Sequence, residues 1–212
     1  MTGLRERKKR QTRQLISDIA TGLFLDRGFD RVTIAEIAEA AEVSVNTVYN
    51  YFPSKEDLFF DREPELIARS SALVRERQPG QSAADALLAQ LRKDLDERTV
   101  HVGMTEGYAR FMECVRESPA LLARMWVMQA RVVQGLTETL REEAGATPDD
   151  PAPEVVATQL VGVNNTIFRT VSMGVAEGVG TDEISRRARR KLEAFVALLS
   201  DEVLNYATRP AG

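Results

Sequence analysis

Ser44, Val45, Asn46, Thr47, Tyr49 and Asn50 crowd into one short stretch of the chain. Their hydroxyls and amides can hydrogen-bond the edges of base pairs, and the valine can touch a thymine methyl. Tyr49, Tyr51 and Lys55 add groups suited to phosphate oxygens. This is the chemistry of recognition. Elsewhere the chain shows no paired acid and base, no phosphate-cradling glycine loop and no metal-ligand spacing. His101 and Cys114, the single histidine and single cysteine, lie far apart in sequence and argue against a Cys/His metal site. Nothing here supports an enzyme or implies a cofactor.

The elements that must position these groups run from Thr33 to Leu58. Thr33 is placed to accept from the N–H of Glu36, and Glu36 to reach back to the N–H of Thr33, a reciprocal cap. Ile34, Ile37, Ala38 and Ala41 then recur at helical spacing. Glu42 and Val43 make a turn that Val43 plugs from inside. Ser44 caps a second short helix, which Pro53 ends because the residue before a proline disfavours helical geometry. Ser54 caps a third. Upstream, Leu15-Ile16, Ile19-Ala20 and Leu23-Phe24 predict a helix from about Arg10 to Arg27, closed by Gly28. A shared core of Leu15, Ile19, Leu23, Phe24, Phe29, Ile34, Ile37, Val48 and Phe52 is expected. Two short helices at a steep angle form a helix-turn-helix, whose second member enters the major groove N-terminus first. The capped end at Thr33 would then face phosphate. A helical hairpin with no partner is the alternative on spacing and caps alone.

As a string, Thr33, Ile37-Ala38, Ala41, Val43-Ser44, Thr47-Val48-Tyr49, Tyr51-Phe52, Lys55-Glu56 and Leu58 resemble the signature of the tetracycline-repressor-like (TetR) family of transcriptional regulators. The resemblance covers about the first quarter of the chain closely, and the remainder only in length and helical pattern. It implies an all-α protein of about nine helices. Residues 1–60 would form a helix-turn-helix DNA-binding domain and residues 61–212 a helical effector-binding and dimerisation domain. The implied function is a homodimeric, cytoplasmic regulator, a repressor on a palindromic double-stranded operator, released by a small apolar or amphipathic effector. An architectural DNA-binding dimer without effector is the alternative.

Charge supports this division. The chain carries −4 overall, but Arg5, Arg7, Lys8, Lys9, Arg10 and Arg13 against Glu6 put +5 on the first thirteen residues, leaving −9 on the rest. A basic arm on an acidic body directs DNA to one end. The arm is either a DNA contact, with Arg10 within it, or a solubilising tail. No apolar run reaches membrane-spanning length, and the charged N-terminus does not read as a secretory signal.

In the body, Pro64 should kink or break the helix that starts at Ser54. Ser82 caps the next helix, Pro119 opens a long one, and two more run from about Glu154 to Glu177 and from about Thr181 to Ala207. The last two are the dimer interface that the resemblance implies, with Leu160, Val163, Ile167, Val171, Phe195 and Leu199 on its seam; alternatively these residues fill the protomer's own core. The arginine run at 186–190 is either a solvated face or a second basic surface. The resemblance also implies an effector pocket among the middle helices. Met104, Tyr108, Phe111, Met112, Met125 and Phe168 would give an apolar, deformable wall, and Trp126, Gln129, Asn165 and Arg169 the polar handles. Each is equally a candidate for plain core, and Arg169 for a bond across the seam. Ser118 to Arg124 also resembles the body of regulators associated with mycofactocin biosynthesis; no ligand is carried over from that.

Overall fold

The computed structural model describes residues 3–105 and 107–211. Among them are eleven α-helices, one 3-10 turn and no strand. They divide into two compact units, 1–64 with 110–126, and 65–109 with 127–212. The second span of the first unit was expected in the body.

The first unit holds α1 (Leu4–Arg27), α2 (Ile34–Ala40), α3 (Val45–Tyr51), α4 (Lys55–Phe59), most of α7 (Tyr108–Glu117) and the start of α8 (Pro119–Ala144). Helix α1 starts at Leu4, so the basic arm is helical and not a loose tail. Leucine, arginine, lysine and glutamine are strong helix formers, and Glu6 lies favourably in the first turn. Its buried stripe is Ile16, Ala20 and Phe24, flanked by Ile19 and Leu23. Leu15 is rotated off that stripe and 49% exposed, so it is not a core residue. Phe24, Phe29 and Phe59 meet with ring centroids 5.2–5.7 Å apart, and Phe111 stacks on Phe59 at 4.6 Å.

Proline 64 breaks the helix instead of kinking it. Helix α4 stops at Phe59, and α5 (Glu63–Arg75) begins with Pro64 in its first turn. There the missing N–H has no helical partner to lose, so the proline is tolerated.

The second unit contains the rest of α5, α6 (Ala83–Glu97), a 3-10 turn (Val100–Val102), most of α8, α9 (Ala152–Ala176), α10 (Thr181–Val196) and α11 (Asp201–Leu204). Ser82 and Asp85 cap α6 reciprocally. Helices α9 and α10 pack closely because Gly174 faces Ile184: a Cβ there would lie 2.8 Å from Ile184 Cγ1. The last helix does not run on to Ala207. It ends at Val196, the amides of Leu198 and Leu199 bond three residues back, and a separate short helix starts after Ser200, whose backbone is extended. Arg77, buried, donates to the carbonyls of Val74 and Ala207 and to Glu143, fastening the residues after α11 to the end of α5.

Leu160, Val163, Ile167 and Val171 line the core of this unit, Ile167 and Val171 with no exposure at all. Their side chains are covered by the chain itself, as in the alternative in which they fill the protomer's own core. Phe195 and Leu199 are half-buried against the same core. The face of α9 that remains open carries Val155, Gly162, Arg169 and Met173, and beyond α10 Leu198 is 83% exposed.

Candidate nucleic-acid interface

Helix α2 is held at both ends by local bonds. Thr33 Oγ1 accepts from the N–H of Glu36, while the Thr33 N–H and hydroxyl both donate to Glu36 Oε2 at 2.8 Å. Arg27 pairs with the other Glu36 oxygen at 2.6 Å. The Thr33 N–H, followed by the Arg27 guanidinium and the Thr33 hydroxyl, lowers the Glu36 carboxyl to about 2. The hydroxyl proton of Thr33 is thus engaged in the cap, and the Glu36 carboxylate stands at the helix end that was expected to face phosphate. At the far end Glu42 takes the left-handed conformation at φ 52°, and the Val43 N–H bonds back to Ala38 O at 2.9 Å. This closes the turn into α3.

Helix α3 begins on Ser44, whose Oγ accepts from the Thr47 N–H at 3.0 Å. The two hydroxyls of Ser44 and Thr47 bond each other at 2.8 Å. Val48 is fully buried in the core that α1 and α2 also supply, and Phe52 caps the end of α3 in extended geometry ahead of Pro53. One face therefore points inward. The other presents Ser44, Val45, Asn46, Tyr49 and Asn50 to solvent, with Thr47 half-buried at its edge. Tyr51 packs against the core instead, with its ring partly covered. Arg10 is exposed on α1, together with Arg5, Arg7, Lys8 and Lys9.

Lys55 sits differently from its expected role. Its Nζ donates to the carbonyls of Phe29 and Val32, both at 2.9 Å, and lies 4.3 Å above the Phe29 ring. Two of its three protons hold the loop that leads into α2. Arg13 also buttresses this region, with its guanidinium 4.6 Å over the Phe52 ring and a bond to the carbonyl of Asp61, whose carboxylate accepts from Ser17. Arg124 pairs with Asp57 at 2.6 Å and Glu63 at 2.7 Å, joining the start of α8 to α4 and the start of α5. Neither buttress was anticipated, because partners so distant along the chain leave no local spacing to read.

The effector candidates divide between the two units. Phe111 and Met125 pack into the core of the first unit, and Trp126 there is 71% exposed. In the second unit Met104 is buried in the core, Gln129 and Asn165 are half-buried, and Arg169 is exposed. Within the second unit Tyr108 and Phe168 meet. Their rings cross edge to face at 5.4 Å, and the Tyr108 hydroxyl lies 3.1 Å from Ser172 Oγ. A surface groove of about 640 Å³ runs along α6 and α10, lined by Asp96, Ser185, Arg186, Arg189, Arg190 and Glu193, none of which is an effector candidate. Its arginines are tied to carboxylates, with Arg186 and Arg190 on Glu183 and Arg189 on Asp96, and the neighbouring Arg187 also pairs with Glu183. The arginine run is thus a laced helix face. No helix is long and apolar enough to cross a membrane among the described residues.

Comparison with known proteins adds independent weight. Residues 16–61 match the family described as bacterial regulatory proteins, tetR family. The chain is 28% identical over 174 residues to the HTH-type transcriptional regulator TcmR of Streptomyces glaucescens, covering 79% of this chain and 76% of that protein. It is 26% identical over 178 residues to a protein of Mycobacterium tuberculosis named as a mycofactocin biosynthesis transcriptional regulator, MftR, covering 82% and 88%. Over 46 residues, 22% of each chain, it is 52% identical to the HTH-type transcriptional regulator LuxR of Vibrio harveyi. Among solved structures, NalD, the secondary repressor of the MexAB-OprM multidrug efflux pump in Pseudomonas aeruginosa, superposes with a TM-score of 0.61 at 17% identity, covering 91% of this chain and 99% of that one. At that identity the likeness is one of fold.

Proposed function

The chain belongs to the TetR family of bacterial transcriptional regulators, and from that premise we propose that it reads a palindromic operator as a homodimer and releases it on binding a small apolar or amphipathic effector. The observation that carries the first part is the outer face of α3. A buried Val48 fixes the helix, and an uncharged row of Val45, Asn46, Tyr49 and Asn50 faces outward from it. Base edges are read by such groups, while the exposed cations of α1 supply the phosphate attraction that dominates affinity.

The dimer follows from symmetry. Two reading helices ~34–36 Å apart match the halves of a palindrome. The exposed face of α9 supports a different seam from the one first expected. Val155, Gly162, Arg169 and Met173 on α9, with Leu198 after α10, take the place of the buried residues first expected there. For the effector, the Tyr108, Phe168 and Ser172 cluster offers two aromatic rings beside paired hydroxyls. Ligand binding there would bias the operator-competent state by a coupling of order 1–3 kcal/mol.

The test is selection of bound DNA from a random-sequence pool at fixed salt, with light scattering on the free protein and on the complex. One enriched palindrome bound by two chains supports the proposal. Salt-sensitive binding with no enriched sequence refutes it in favour of an architectural binder.

A further inference from the structure

The bonding pattern on α3 narrows which bases it can read, on the reading above that this helix enters the groove. The two hydroxyls at its leading edge bond each other, and Ser44 Oγ also serves as the cap. Asn46 and Asn50 are different. They stand four residues apart on the exposed side, and their side chains make no hydrogen bond within the described chain. Side chains at that spacing share one face of a helix. Val45 and Tyr49 form the neighbouring exposed row. Neither α2 (IAEIAEA) nor α3 (VNTVYNY) contains an arginine or a lysine. Of the cations that flank them in sequence, Arg27 is held by Glu36 and Lys55 by the Phe29 and Val32 carbonyls, while Arg31 is exposed ahead of α2 and lies outside both helices.

Guanine is read in the major groove by Arg or Lys on O6 and N7. Adenine is read by an amide on N6 and N7, and thymine by apolar contact with its methyl. We infer that the operator half-site is built on A·T pairs, with Asn46 and Asn50 reading adenines and Val45 packing against a thymine methyl. The donor set on α2 and α3 can satisfy adenine fully, but it offers no bidentate cation to guanine.

The experiment begins with the sequence enriched by the full-length protein from a random pool. In that operator each adenine is replaced in turn by 7-deazaadenine, which loses the N7 acceptor while keeping Watson–Crick pairing. Each thymine is replaced in turn by uracil, which loses only the methyl. At one or two adenines per half-site the replacement should weaken binding by roughly 5- to 100-fold, the span of a good bidentate contact. Asn46→Ala or Asn50→Ala should bind the natural operator that much more weakly and show no further loss with the matching 7-deazaadenine. Both side chains are exposed, so the variants should retain the wild-type melting temperature. Indifference to 7-deazaadenine at every position, or an enriched half-site of G·C pairs, overturns the inference and leaves α3 as the reading helix. A pool with no enriched sequence overturns both the inference and the reading on which it rests.

Discussion

Replacing Lys55 by methionine separates a structural cation from a DNA-contacting one. Methionine keeps an apolar stem of similar length and removes the ammonium. The structure loses two charge-assisted bonds of 2.9 Å, to Phe29 O and Val32 O, and the position over the Phe29 ring. A bond to a charged group contributes ~1.5–3 kcal/mol when well sheltered. Lys55 is only half-buried, so each bond belongs at or below the low end of that range. The cation–π contact adds ~0.5–1 kcal/mol. A net loss of about 2 kcal/mol is expected, since water can replace part of what the carbonyls lose. For a unit of under a hundred residues, each kcal/mol moves the melting temperature by roughly 4–8 °C, so calorimetry of the full chain should show a drop on the order of 10 °C. DNA affinity should fall uniformly across sequences because the loop into α2 loosens. The slope of log affinity against log salt should stay at its wild-type value, whereas loss of one phosphate contact reduces it by ~0.9. Arg10→Ala is the comparison, expected to change the slope and leave melting alone. An unchanged melting temperature for Lys55→Met with a slope reduced by about one would refute this reasoning and make Lys55 a phosphate ligand.

Glu36 has a carboxyl held at about 2 against an ordinary 4.5, chiefly by the Thr33 N–H and then by Arg27 and the Thr33 hydroxyl. A lowered folded-state value means that its stabilisation is complete above about 4.5 and is lost as pH falls towards 2; the melting temperature of Glu36→Gln should therefore vary less than that of the wild type between those limits. Leu198→Glu, at an exposed position on the proposed seam, should shift light scattering from dimer to monomer without unfolding the chain, and an unchanged dimer would remove Leu198 from the seam. Ile167→Ala should instead cost ~2–5 kcal/mol as a cavity in the protomer core, with the oligomeric state of the folded protein unchanged. Gly174→Ala puts a Cβ 2.8 Å from Ile184 and should destabilise by ~1–3 kcal/mol through overpacking, read by denaturant titration.

Sequence alone determined what rests on bonds spanning three or four residues. The caps at Thr33, Ser44, Ser54 and Ser82 each use a partner three positions on. Those bonds, with the proline at 53 and the apolar period around Val48, made the helix-turn-helix and its outward row of Val45, Asn46, Tyr49 and Asn50 legible. Only the tertiary structure decided what depends on groups far apart in the chain. Lys55 finds carbonyls 23 and 26 residues back. Arg124 finds carboxylates 61 and 67 residues away, and Phe111 finds Phe59. Periodicity showed that α9 has an apolar stripe through Leu160, Val163, Ile167 and Val171, yet a stripe carries no mark of what covers it. The protomer's own core closes over those four, so the exposed face of α9 lies on the other side of the same helix. Burial is a property of the assembled fold, because the surface that removes a side chain from water comes from residues with no local tie to it.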